Sequence, residues 1–102
     1  MNAEFFVGQI VEHTKVGYRG VIYGVDQVFS LSDEWYEQVA RSRPPKNRPW
    51  YHVLVDGADH STYVAERHLV PSKLFEQISH PALGKYFARF DGTRYYGNEP
   101  VH

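Results

Sequence analysis

A chain of 102 residues with 42% hydrophobic and 16% aromatic content is long enough for one domain around one core. Its formal net charge of −1 lacks the global attraction that a dedicated DNA binder uses, so a nucleic-acid site has to rest on a local patch. The absence of cysteine excludes disulfides, thiolate metal sites and cysteine nucleophiles, and no apolar run approaches the roughly 18 residues of a membrane span. A reducing, cytoplasmic setting without membrane contact is therefore expected, and Met1-Asn2-Ala3-Glu4 does not open like a secretory leader.

Residues 6–13 alternate loosely and predict strand one. Gly17 closes a turn, and residues 18–25 predict strand two. Val21, Tyr23 and Val25 fall on one face and Ile22 on the other, so both faces carry apolar residues, as in a barrel or an oligomer. Residues 32–41 predict a short helix, with Ser30 or Ser32 as cap, Asp33 and Glu34 in the first turn and Arg41 in the last. Trp35 and Val39 are four apart and share a face. Pro44, Pro45 and Pro49 then forbid regular structure.

Residues 50–55 predict strand three, Asp56-Gly57 a hairpin turn and residues 61–66 strand four. Residues 68–70 suggest a short fifth strand before Pro71. Residues 79–87 predict a second helix, with Ser79 as cap, Pro81 in its first turn and Leu83, Tyr86 and Phe87 on one side. The architecture expected is mainly β. A small barrel covers about residues 5–70, with a helix inserted between strands two and three. A helical C-terminal arm over about 71–102 covers a barrel edge or meets a neighbouring subunit.

Few residues offer catalytic chemistry. His52, His60, His68 and His80 form no i, i+4 helical pair, and no carboxylate cluster supports them, so no metal or cofactor is expected. No Gly-x-Ser-x-Gly elbow is present, and Asp33, Glu34 and Glu37 sit where a helix N-terminus favours negative charge anyway. Asp26 and Glu66 fall at strand ends. These features predict no catalytic residue and a protein that is not an enzyme. Gly17, Gly20 and Gly24 read as turn and bulge positions rather than a phosphate loop.

The basic run is the richer feature. Arg41, Arg43, Lys46 and Arg48 have no acid among them, and Trp50 and Tyr51 follow. A basic loop beside exposed aromatics can grip a phosphate backbone and stack a base or sugar. The competing reading is a solvated loop between a helix and a strand. An open strand edge could also accept an extended peptide, unless the arm already covers it.

The same stretches carry a resemblance. Phe6-Val7-Gly8-Gln9-Ile10-Val11-Glu12-His13, Gly17-Tyr18-Arg19-Gly20-Val21-Ile22, Trp50-Tyr51-His52-Val53-Leu54-Val55 and Thr62-Tyr63-Val64-Ala65-Glu66 with Leu69 resemble the YccV-like, or HspQ-like, hemimethylated-DNA-binding domain family. Asp33-Glu34-Trp35, Gln77-Ile78-Ser79-His80-Pro81, Gly84-Lys85-Tyr86-Phe87 and Phe90-Asp91-Gly92-Thr93 look like the subtype at the end of certain F-box proteins. With Met1 just before strand one, the chain is expected to be a free-standing form of that subtype.

The resemblance implies an SH3-like β-barrel without enzymatic activity. It also implies DNA binding with a preference for hemimethylated sites, or an adaptor role toward a protease or other degradation machinery under heat stress. The expected DNA contacts are Tyr18, Arg19, Arg41, Arg43, Lys46, Arg48, Trp50 and Tyr51. Trp35, Phe87 and Tyr96 are expected protein contacts, and self-association into a homo-oligomer is a further expectation.

Overall fold

The computed structural model describes residues 3–97. Five strands form one antiparallel sheet: β1 (Ile10–His13), β2 (Arg19–Asp26), β3 (Trp50–Val55), β4 (Ser61–Ala65) and β5 (Leu69–Pro71). Their order is β4-β3-β2-β1-β5. The sheet does not close into the expected barrel, because β4 and β5 each pair on one side only. A single turn of 3-10 helix, Glu66–His68, carries the chain from one edge to the other, and the three-residue β5 offers only one short ladder.

Strand one is shorter than expected. Phe6 to Gln9 turn instead, with the Gln9 N–H donating to the Phe6 carbonyl at 3.1 Å. Gly8 makes that turn at φ 94°, under the Tyr95 carbonyl, where a Cβ would lie 2.0 Å from the oxygen. Strand two contains a bulge between Ile22 and Gly24. The extra residue reverses the alternation beyond it, so Val21 and Tyr23 pack on one core while Val25 joins Ile22 on the other.

Both faces of the sheet are therefore buried. One face holds Phe5, Val11, Ile22, Tyr51, Val53, Val64 and Leu69. The other holds Ile10, Val21 and Leu54 beneath Ile78, Phe87 and Tyr95 of the C-terminal segment. That segment covers a face of the sheet and also reaches its edge, where Arg94 bridges Gln9 and the Tyr95 N–H donates to the Gly8 carbonyl at 2.9 Å. It contains a single helical turn, α2 (Leu83–Tyr86), followed by a hairpin of β6 (Phe87–Phe90) and β7 (Tyr95–Gly97).

The arm is thus only partly helical: Ser79 caps nothing, and its N–H donates instead to Asp56 Oδ1 at 2.7 Å. The last part of the expected arm, residues 98–102, lies outside the described residues. No helix among the described residues is long and apolar enough to cross a membrane.

The helix inserted between β2 and β3 is α1 (Asp33–Val39). Ser32 caps it, its Oγ accepting the Trp35 N–H at 3.1 Å. Tyr36 and Ala40, four apart, face inward onto Trp50 and Ala65. Trp35 is left half-buried and Val39 exposed beside the sheet.

Candidate functional site

Between α1 and β4 lies a cleft of about 790 Å³. Its wall on one side is Trp35, Val39 and the residues just past the helix, Arg41, Ser42 and Pro44. All five residues of β4 form the opposite wall. His52 and Tyr23 lie across its floor, and His13, Lys15, Tyr18 and His68 close the end beside the β1–β2 turn. Among the described residues, no aspartate or glutamate lines it.

The aromatic surface is rigid because its rings brace one another. Tyr63 stacks on Trp50 with ring centres 5.2 Å apart, and Trp35 meets Tyr63 edge-on at 5.6 Å. Phe29 packs edge-on to Trp50 at 5.0 Å. Tyr63 and His52 are register partners on β4 and β3, with ring centres 4.6 Å apart. Asp26 Oδ2 accepts from the Tyr63 hydroxyl at 2.7 Å and lies 3.1 Å from His52 Nε2. Burial and the Asp26 carboxylate push the Tyr63 hydroxyl up to about 12, so it stays a donor at neutral pH.

The turn end is basic and imidazole-rich. Tyr18 donates to or accepts from Thr62 Oγ1 at 2.6 Å, which holds the β1–β2 turn against β4. His13 leans on Tyr18, ring centres 5.2 Å apart, and meets His68 edge-on at 5.7 Å. Burial lowers both imidazoles below their ordinary value. The cation of Lys15 adds to this at both, and His13 and Arg67 add to it at His68.

The expected DNA contacts divide sharply. Tyr18, Arg41 and an edge of Trp50 line the cleft. Trp50 and Tyr51 were expected as exposed stacking surfaces, but they are 2% and 0% exposed. The Tyr51 hydroxyl donates to Glu66 Oε2 at 2.6 Å and accepts the Phe5 N–H at 3.2 Å, so the residue belongs to the core.

Arg19 is a structural clamp: it pairs with Asp56 at 3.0 Å and donates to the carbonyls of Leu74 and Glu76. In the loop, Arg43 pairs with Glu37 at 2.8 Å and Lys46 with Asp33 at 2.9 Å. Both pairs are exposed, where solvent screens the attraction, and Lys46 also lies 4.4 Å from the centre of the Tyr36 ring. Arg48 lies in a smaller hollow with Glu4 and Glu66, away from the main cleft.

Of the expected protein contacts, only Trp35 lines the cleft. Phe87 is 6% exposed, because its position at the start of β6 turns the ring onto the sheet. Tyr96 lies between the guanidinium groups of Arg89 and Arg94 and donates to Asp91 at 2.8 Å. Sequence reasoning missed His13, Lys15, Tyr63 and His68 as a group. They come from three separate segments: the pairing of β1 with β5 sets His13 beside His68, and Tyr63 reaches the cleft from β4.

The sequence matches, over residues 3–94, the family described as hemimethylated DNA-binding protein YccV like. It is 34% identical over 96 residues to F-box only protein 21 of Homo sapiens and of Pongo abelii. The Mus musculus protein of that name is 33% identical over 96 residues. Each match covers 92% of this chain but only 15% of the relative. No solved structure matches the chain.

Proposed function

The chain belongs to the YccV-like family, and from that premise we propose that it is a non-catalytic module that holds DNA in the cleft between α1 and β4. One observation carries this reading. The cleft presents aromatic rings and the cations Lys15 and Arg41, and no carboxylate lines it. Aromatic faces accept bases without regard to their edges, and cations along the rim take phosphates. The loop beyond Arg41 extends the rim through Arg43 and Lys46 once their surface pairs open. A preference for hemimethylated duplex follows the family's description and is part of the proposal. With so few cations, affinity falls steeply with salt.

The test is fluorescence anisotropy with hemimethylated and unmethylated duplexes at low salt. The account predicts binding, tighter for the hemimethylated duplex, and a loss of about tenfold or more when Lys15 and Arg41 both become alanine, as expected for two lost phosphate contacts. Absence of binding to either duplex, or affinity indifferent to these changes, contradicts it.

A second reading has its own observation. Among the described residues β4 pairs only with β3, which leaves its outer edge open to an extended peptide. Together with relatives named F-box only protein, this supports an adaptor that passes protein to a protease or other degradation machinery. A pull-down from heat-stressed cells that recovers no protease and no chaperone contradicts that reading. Exposed Val70, Leu74 and Phe75 are a candidate contact between copies, which sedimentation would detect as a dimer.

A further inference from the structure

We propose that the turn end of the cleft is an oxyanion pocket that takes a phosphate group, with His13 and His68 as hydrogen-bond donors and Lys15 and Arg41 supplying charge. The hydrogen bonds already made at the two rings fix which nitrogen is free. His13 Nδ1 accepts the N–H groups of Lys15 and Val16 at 3.1 Å each, so the neutral ring carries its proton on Nε2. His68 Nε2 accepts from Arg67 Nε at 3.3 Å and lies 3.3 Å from Ser42 Oγ, so its proton is on Nδ1. Each ring therefore keeps an N–H with no partner among the described residues.

Arg67 is itself held in place, its Nη2 donating to the Ser42 carbonyl at 2.8 Å. The rings meet edge-on at 5.7 Å, too far for a bond between them. The groups facing them are Tyr18 just before β2, Lys15 from the turn, Arg67 from the 3-10 turn and Ser42 from the loop after α1. Glu12 and Glu66 are close in sequence, but neither lines the cleft. Glu66 is engaged with Tyr51 and the Glu4 N–H.

Two partly buried imidazoles among cations, with no carboxylate facing them, lack a counter-charge. An oxyanion such as a phosphodiester would supply it, accept both free N–H groups and favour protonation of the rings. The reading of the cleft as a DNA site enters only in naming the owner of the phosphate: a nucleic-acid backbone rather than free phosphate.

The experiment is an NMR titration of the histidine rings across pH 5–8 in the full chain. It is run in chloride, in inorganic phosphate at equal ionic strength, and with a short single-stranded DNA. The proposal predicts that phosphate raises the pKa of His13 and His68 by about half a unit or more, a roughly threefold preference for the protonated rings. The exposed His60 should not move, and Lys15→Ala together with Arg41→Ala should weaken the response of His13 and His68.

An equal shift at His60, or no shift at His13 and His68 in phosphate, overturns the pocket. A response to phosphate without one to DNA supports the pocket and counts against the DNA reading. DNA binding that leaves both rings unmoved overturns the pocket and leaves the DNA reading standing.

Discussion

At Tyr51 a single hydroxyl joins three segments: it donates to Glu66 and accepts from the Phe5 backbone. Burial and the Glu66 bond raise its pKa far above the usual phenol value, so it remains a donor. Tyr51→Phe is expected to destabilise the fold by about 1–3 kcal/mol, because the Phe5 N–H is left buried without a partner. Urea denaturation measures this, and DNA affinity of the folded variant should be unchanged. A stable variant that loses binding would return Tyr51 to the site.

His13 and His68 predict a pH dependence of opposite character. Both imidazoles titrate below their ordinary value when folded. Above about pH 6.5 folded and unfolded chains are both neutral there, and nothing is lost. As pH falls through that value the unfolded chain takes up protons first, so stability declines until the folded rings protonate too. The melting temperature should therefore drop between pH 7 and 5, and less so in His13→Gln with His68→Gln. An equal drop in that double variant would place the cause elsewhere.

The elements show why part of the molecule was legible in sequence and part was not. The β3–β4 hairpin follows from Asp56-Gly57 between two apolar runs, and α1 from the Ser32 cap with acids behind it. These are local signals. The bulge at Tyr23 is not local: Gly24 marks it, but which face Val25 takes depends on pairing with β3. The second helix is reduced to the single turn Leu83–Tyr86 for a similar reason. Ser79 and Pro81 suit a helix start, yet Asp56 captures the Ser79 N–H, and Phe87 and Tyr95 gain more by pairing as a hairpin on the sheet.

Gly20 is a sharper test at this scale. A Cβ there would lie 2.5 Å from both the Leu54 carbonyl oxygen and Val53 Cγ1. Gly20→Ala must push β2 away from β3 and should cost about 1–3 kcal/mol, as overpacking generally does. Denaturant unfolding measures it, and a neutral result would mean that the two strands are not so closely apposed.

For the whole molecule, the net charge of −1 hides a segregated surface. The acids Asp33 and Glu37 pair with the loop, and Glu66 and Glu4 border a separate hollow, while the cleft is free of carboxylates. The basic loop was readable as a charge run, but its partners on α1 were not, and the burial of Trp50 and Tyr51 moved the aromatic surface to Trp35, Tyr63 and Tyr18.

Backbone and side-chain NMR shifts on adding a hemimethylated duplex at low salt decide whether this cleft receives DNA. Shifts should concentrate at Lys15, Tyr18, Trp35, Arg41 and Tyr63, with the hairpin residues Arg89 and Tyr96 unmoved. Shifts confined to that hairpin, or none at all, would contradict the DNA reading.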